Sequence, residues 1–88
     1  MVKEMELHKH VETIVTKADL IAFIEALRRD LQANPGEWEN PSLERYLSAL
    51  ANWIEDSDGY YQNQNQQPPS TPSWKNVAEM LLAAKIYE

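Results

Sequence analysis

Thr16-Lys17-Ala18-Asp19-Leu20-Ile21-Ala22-Phe23-Ile24-Glu25-Ala26-Leu27-Arg28-Arg29-Asp30-Leu31, closed by Asn34-Pro35-Gly36, is the stretch that decides the fold. Leu20, Phe23, Ile24, Leu27 and Leu31 recur at the three- and four-residue spacing that gathers side chains on one side of an α-helix. Thr16 can accept a backbone N–H, and Asp19 three residues on makes a weaker version of the capping box, so the helix is predicted to start near Lys17. Asn34-Pro35-Gly36 stops it. Glu25 reaches Arg28 and Arg29 on the wet face, where each pair contributes about 0.2–0.5 kcal/mol.

Two more segments repeat the pattern. Asn40-Pro41 reads as the opening of a second helix, with Asn40 as N-cap, because proline suits the first helical position and pushes the residue before it out of the helical region. Leu43, Tyr46, Leu47, Leu50 and Ile54 form its stripe, Ala49 and Trp53 widen it, and Gly59 is the predicted left-handed stop. Residues 60–73 carry no charge; the Gln/Asn run and Pro68-Pro69-Ser70-Thr71-Pro72 read as a long polar loop. A third helix starts near Ser73, with Trp74, Val77, Ala78, Leu81 and Leu82 on its apolar face and Lys85 near its negative pole. Ile86 and Tyr87 suggest that the chain end docks on the core.

Before Thr16 the apolar residues Val2, Met5, Leu7, Val11, Ile14 and Val15 fit neither helical nor strand periodicity. Residues 1–10 are expected to fray, and the β-branched Val11, Ile14 and Val15 suit a short extended piece against the core. The sequence thus predicts one all-α domain over 1–88: a small bundle of three main helices behind an irregular or short extended N-terminal segment, its bulk supplied by Trp38, Tyr46, Trp53 and Trp74.

Composition excludes whole classes of function. Fourteen acidic residues against eight basic give a net charge of −6, which disfavours nucleic acid and anionic membrane as partners and suits a basic protein. With no cysteine there is no disulfide, thiol nucleophile or cysteine zinc site. The two glycines, Gly36 and Gly59, cannot build a phosphate-cradling loop, dinucleotide fingerprint or nucleophile elbow. His8 and His10 lack the partners of a zinc shell, so neither metal nor cofactor is expected. The start has no secretory signal and no window is long enough to span a bilayer, which makes the cytoplasm the expected compartment.

What stands out is acidity in one region. From Glu37 to Asp58 six acids, Glu37, Glu39, Glu44, Glu55, Asp56 and Asp58, face a single Arg45, for a net −5. Glu55, Asp56 and Asp58 cluster where the second helix is predicted to end, against the dipole. Three readings compete there: a solvated helix end neutralised by Arg28, Arg29 or Arg45, a docking patch for a basic partner, or a cation site. An EF-hand fails on register, because Gly59 in its sixth place would put Ile54 first and Asn65 twelfth, where carboxylates are needed. Tyr60-Tyr61 beside the amide-rich run suits an aromatic platform for a sugar or peptide.

The pattern Glu37-Trp38-Glu39-Asn40, Tyr46-Leu47, Ala49-Leu50, Trp53, Asp58-Gly59-Tyr60-Tyr61, Trp74-Lys75 and Ala83-Ala84-Lys85-Ile86-Tyr87-Glu88 resembles a small bacterial family known only as a domain of unknown function. The resemblance runs from about Thr16 to the last residue. It implies a bacterial protein in which this chain is a complete unit, and supplies no catalytic residue, cofactor or partner. The leading expectation is a non-enzymatic cytoplasmic interaction or regulatory module that uses the acidic face, as monomer or weak homodimer. The alternative is a structural or self-associating domain. Weaker readings are an immunity-like inhibitor of a basic toxin, a calcium-binding module, or an enzyme working through carboxylates such as Glu55 and Asp58.

Overall fold

The computed structural model describes residues 6–67 and 70–88, and among them the fold is all-α. Helix α1 spans Leu7–Val11, α2 Lys17–Ala33, α3 Leu43–Asn63 and α4 Trp74–Ile86, with a 3-10 turn at Pro35–Glu37. α2 starts as predicted: Thr16 Oγ1 accepts from the Asp19 N–H, and the Asp19 carboxylate returns hydrogen bonds to the Thr16 and Val15 N–H groups. Those backbone donors hold the Asp19 carboxyl below the usual carboxylate range. α4 starts with the same reciprocal arrangement between Ser73 and Asn76.

α4 is the hub. α1, α2 and α3 all pack on it, α1 also packs on α2, and the backbones of α2 and α3 stay apart. One flank of the α2–α4 pair is therefore roofed by α1, while the other opens towards α3. Under the roof Val11, Ile14, Leu20, Phe23, Leu27 and Ala78 form the core together with Trp38. Phe23 is 0% exposed and meets the His10 ring edge-on at 5.3 Å.

Several boundaries differ from the sequence expectation, each for a local reason. The N-terminal segment is not extended: Leu7–Val11 make a helical turn, Val11 and Ile14 dock, and Val15 stays exposed. Of residues 1–10, predicted to fray, 6–10 are described and 7–10 are helical; 1–5 lie outside the described residues. Asn40 is not a helix cap. Ser42 caps α3 by accepting from the Arg45 N–H, and Asn40 is buried, donating Nδ2 to the carbonyls of Ala84 (3.0 Å) and Tyr87 (2.7 Å) and its N–H to Lys85 (3.1 Å). The chain end is docked through that amide, while the Ile86 side chain points into solvent.

Gly59 does not stop α3, because burial of Tyr61 and packing of Tyr60 on Trp53 favour one more turn. The left-handed residue that follows is Asn65, φ 56°, a conformation asparagine tolerates better than most side chains. The polar loop accordingly begins at 64 instead of 60; of its proline cluster, Pro68 and Pro69 lie outside the described residues. Glu55, Asp56 and Asp58 thus sit within α3, not at its negative pole.

A candidate interaction groove between α2 and α3

Because α2 and α3 lean on α4 with their backbones apart, a groove runs between them, about 360 Å³ in volume. Ile24 and Leu31 of α2 make one wall, Leu43 and Tyr46 of α3 the other, and Trp38 and Leu81 the floor. Arg28 is the one charged residue lining it, and its guanidinium is held by Glu25 at 2.9 Å.

The floor is rigid for identifiable reasons. Trp38 Nε1 donates to Asp30 Oδ2 at 2.8 Å, Lys85 Nζ reaches the same oxygen at 2.9 Å, and that ammonium stands 5.6 Å from the centre of the Trp38 ring. Burial alone would raise the Asp30 carboxyl's pKa; hydrogen bonds from Lys85, Trp38 and Asn34 outweigh it and hold the group below its ordinary value. Beside Trp38, Tyr46 donates its hydroxyl to the Leu81 carbonyl at 2.6 Å, and burial pushes that phenol up to about 12. Asp30, Trp38, Tyr46 and Lys85 together tie α2, the 3-10 turn, α3 and α4 into one base.

Above that base the walls are greasy and wet at once: Leu43 is 72% exposed and Ile24 42%. Beyond the groove, Leu47 (52%) and Ile54 (44%) are exposed further along α3. On α3 the buried side chains are Ala49, Trp53 and Tyr61, whereas Leu43, Leu47 and Ile54 of the predicted stripe are exposed. The spacing of Glu44, Glu55 and Asp58, eleven and then three residues, sets them on a common face of α3 next to that apolar row.

The other acids take separate stations. Glu37 lies exposed in the 3-10 turn, Glu39 meets Arg45 Nη2 at 3.7 Å, and Asp56 sits on the far flank of α3, accepting the Tyr87 hydroxyl at 2.5 Å. That bond to Asp56 raises the Tyr87 phenol above its usual range. The two adjacent tyrosines separate as well: Tyr60 is exposed beside Trp53, Tyr61 is buried with its hydroxyl unpartnered, and their rings meet edge-on at 5.2 Å. Trp74 is exposed. Among the described residues no group of three or more His, Asp or Glu side chains is placed to hold a metal ion, and no helix is long and apolar enough to cross a membrane.

The match to a family model spans residues 16–88. The chain belongs to DUF7660, a family of unknown function. The DUF7660 region takes in α2, α3, α4 and every residue lining the groove, while α1 precedes it. No curated protein and no solved structure matches.

Sequence reasoning assigned Ile24, Leu43, Leu47 and Ile54 to the core and so missed the groove. A signal was present: the apolar positions of α3, from Ala49 through Trp53 and Leu50 round to Leu47, cover an arc wider than the roughly 100° that one neighbouring helix needs.

Proposed function

We propose that this chain is a cytoplasmic protein-interaction module, not an enzyme, which docks a basic partner protein on the outward side of α3 and the groove beside it. The observation that carries the reading is the juxtaposition on one helix of an exposed apolar row, Leu43, Leu47 and Ile54, with a row of carboxylates, Glu44, Glu55 and Asp58. Exposed apolar side chains gathered in one place favour removal from water by a partner. The carboxylates beside them select the sign of that partner's charge and speed its approach. An open, apolar groove with a single salt-bridged arginine offers few convergent polar groups to orient a small substrate, which argues for a docking surface over a reaction centre. Self-association is the less favoured reading, because two copies each carrying −6 would bring like charges together.

The test is a comparison of variants in the native host. Proteins retained by the wild-type chain should include a basic one that is lost with Leu43→Ser/Leu47→Ser, and whose retention falls at least tenfold between about 0.05 and about 0.3 M salt. Retention of every captured protein by the double variant at wild-type levels overturns the proposal.

A further inference from the structure

We infer that the hollow between the final turns of α3 and Tyr87 is a binding site for an alkylammonium cation, held by aromatic rings and the Asp56 carboxylate. It shares no lining residue with the apolar groove, so it stands or falls apart from the docking proposed there. Its lining is Trp53, Asp56, Gly59, Tyr60 and Asn63 of α3 with Tyr87 just after α4, around a volume of about 370 Å³. Positions 53, 56, 60 and 63 recur at three- and four-residue steps, so one face of α3 supplies the wall. The facing ring is fixed at both ends: Asn40 Nδ2 donates to the Tyr87 carbonyl at 2.7 Å, and the Tyr87 hydroxyl donates to Asp56 Oδ2 at 2.5 Å. The Trp53 and Tyr60 rings, 5.8 Å apart, are tilted by 51°, so their planes diverge instead of stacking.

Charge sets the sign of the ligand. Asp56 is the one charged residue lining the hollow, and among the described residues no lysine or arginine pairs with it. The last turn of α3, at the helix's negative pole, has no basic residue either. Carboxylate, helix pole and aromatic faces all attract a cation. Its shape follows from Tyr87. With one Asp56 oxygen taken, the two-oxygen fork that a guanidinium prefers is not on offer, and the remaining oxygen suits the point charge of an ammonium. Gly59 is an independent observation. A glycine inside a helix weakens it relative to alanine, yet this one has no positive φ, and a Cβ there would meet nothing within 4 Å. Neither backbone nor packing calls for glycine, and what its missing side chain leaves open is the hollow.

The experiment titrates the full chain with n-butylammonium, and in parallel with guanidinium, n-butanol and methyl glucoside, reading the Trp53 indole and Tyr60 ring resonances. n-Butylammonium should give saturable shifts at millimolar concentration and bind about tenfold tighter than guanidinium or n-butanol. Asp56→Asn keeps an acceptor for Tyr87, and Tyr60→Leu keeps apolar bulk at an exposed position; each should weaken binding by about fivefold or more. Gly59→Leu should melt at or above the wild-type temperature and no longer bind. Tighter binding of a doubly capped Gly-Lys-Gly peptide than of n-butylammonium assigns the cation to a protein side chain, and weaker binding assigns it to a free amine. Equal binding of n-butanol makes the hollow a plain apolar recess, methyl glucoside bound in place of the amine makes it a sugar platform, and tighter guanidinium reverses the one-oxygen argument. Each of these overturns the proposal, as does full binding by Gly59→Leu or the absence of any saturable shift.

Discussion

The two flanks of the α2–α4 pair are built from the same kind of side chain and end in opposite states. On one flank a five-residue helix, α1, with Ile14 just behind it, is roof enough to bury Phe23 completely. On the other, Ile24, one residue along the same helix, remains 42% exposed across from Leu43. A single helical turn can thus close such a flank, and the open one is not the unavoidable result of a short chain. The connector between α2 and α3 lays only Trp38 into the gap, as a floor. The contrast separates residues that hold the fold from residues that are available to another molecule.

Four substitutions or conditions test that contrast. The roofed flank should be the most sensitive: Phe23→Ala removes a side chain with no exposure and should lower unfolding free energy by about 3–5 kcal/mol, read from urea titration. Next comes the base shared by both flanks. Asp30→Ala leaves Lys85 and the Trp38 indole without their common acceptor, which should remove about 2–3 kcal/mol and broaden the Trp38 resonance.

Acid should weaken the same joint. The Asp30 carboxyl sits below its ordinary value in the folded protein, so the unfolded chain takes up its proton more readily. Its stabilising contribution is present above that value and is lost as pH falls through the folded pKa; the wild type should lose more stability than Asp30→Asn between about pH 5 and about pH 2. Equal losses in the two proteins would assign acid sensitivity to other groups. The smallest effect belongs to the open flank: Leu43→Ser should change stability by no more than about 0.5 kcal/mol, because its side chain already meets water. A loss above about 2 kcal/mol there would mean that Leu43 serves the fold and that the contrast is false.

Sequence reading locates α2, α3 and α4, the cap at Thr16 and a helix start near Ser73, because those features depend on residues within one turn of each other. It fails where the deciding partner is far along the chain. Asn40 next to Pro41 looks like a helix start, yet its amide is claimed by carbonyls 44 and 47 positions away. Gly59 looks like a stop, yet Tyr60 and Tyr61 find packing that carries the helix past it. Leu7 to Val11 shows no period because one turn is too short to display one, and its docking on α2 and α4 is tertiary. The groove was hidden for a related reason: periodicity marks which residues are apolar, while which of them are covered depends on how the helices are turned. The acidic residues were visible, but their division between the α3 face, the 3-10 turn and the Tyr87 flank required coordinates.

Asn40 makes position 40 a narrow place for substitution. Both carbonyls it meets are acceptors, so the side chain must present two N–H bonds at one point, at a length that reaches Ala84 and Tyr87 together. Aspartate, nearly its twin in shape, would set oxygen against oxygen, and glutamine would carry the same donors one carbon too far. A library of all twenty residues at this site, sorted for folded protein, should return asparagine far ahead of every other residue, and would record in a single codon how firmly α4 is fastened to the rest of the molecule.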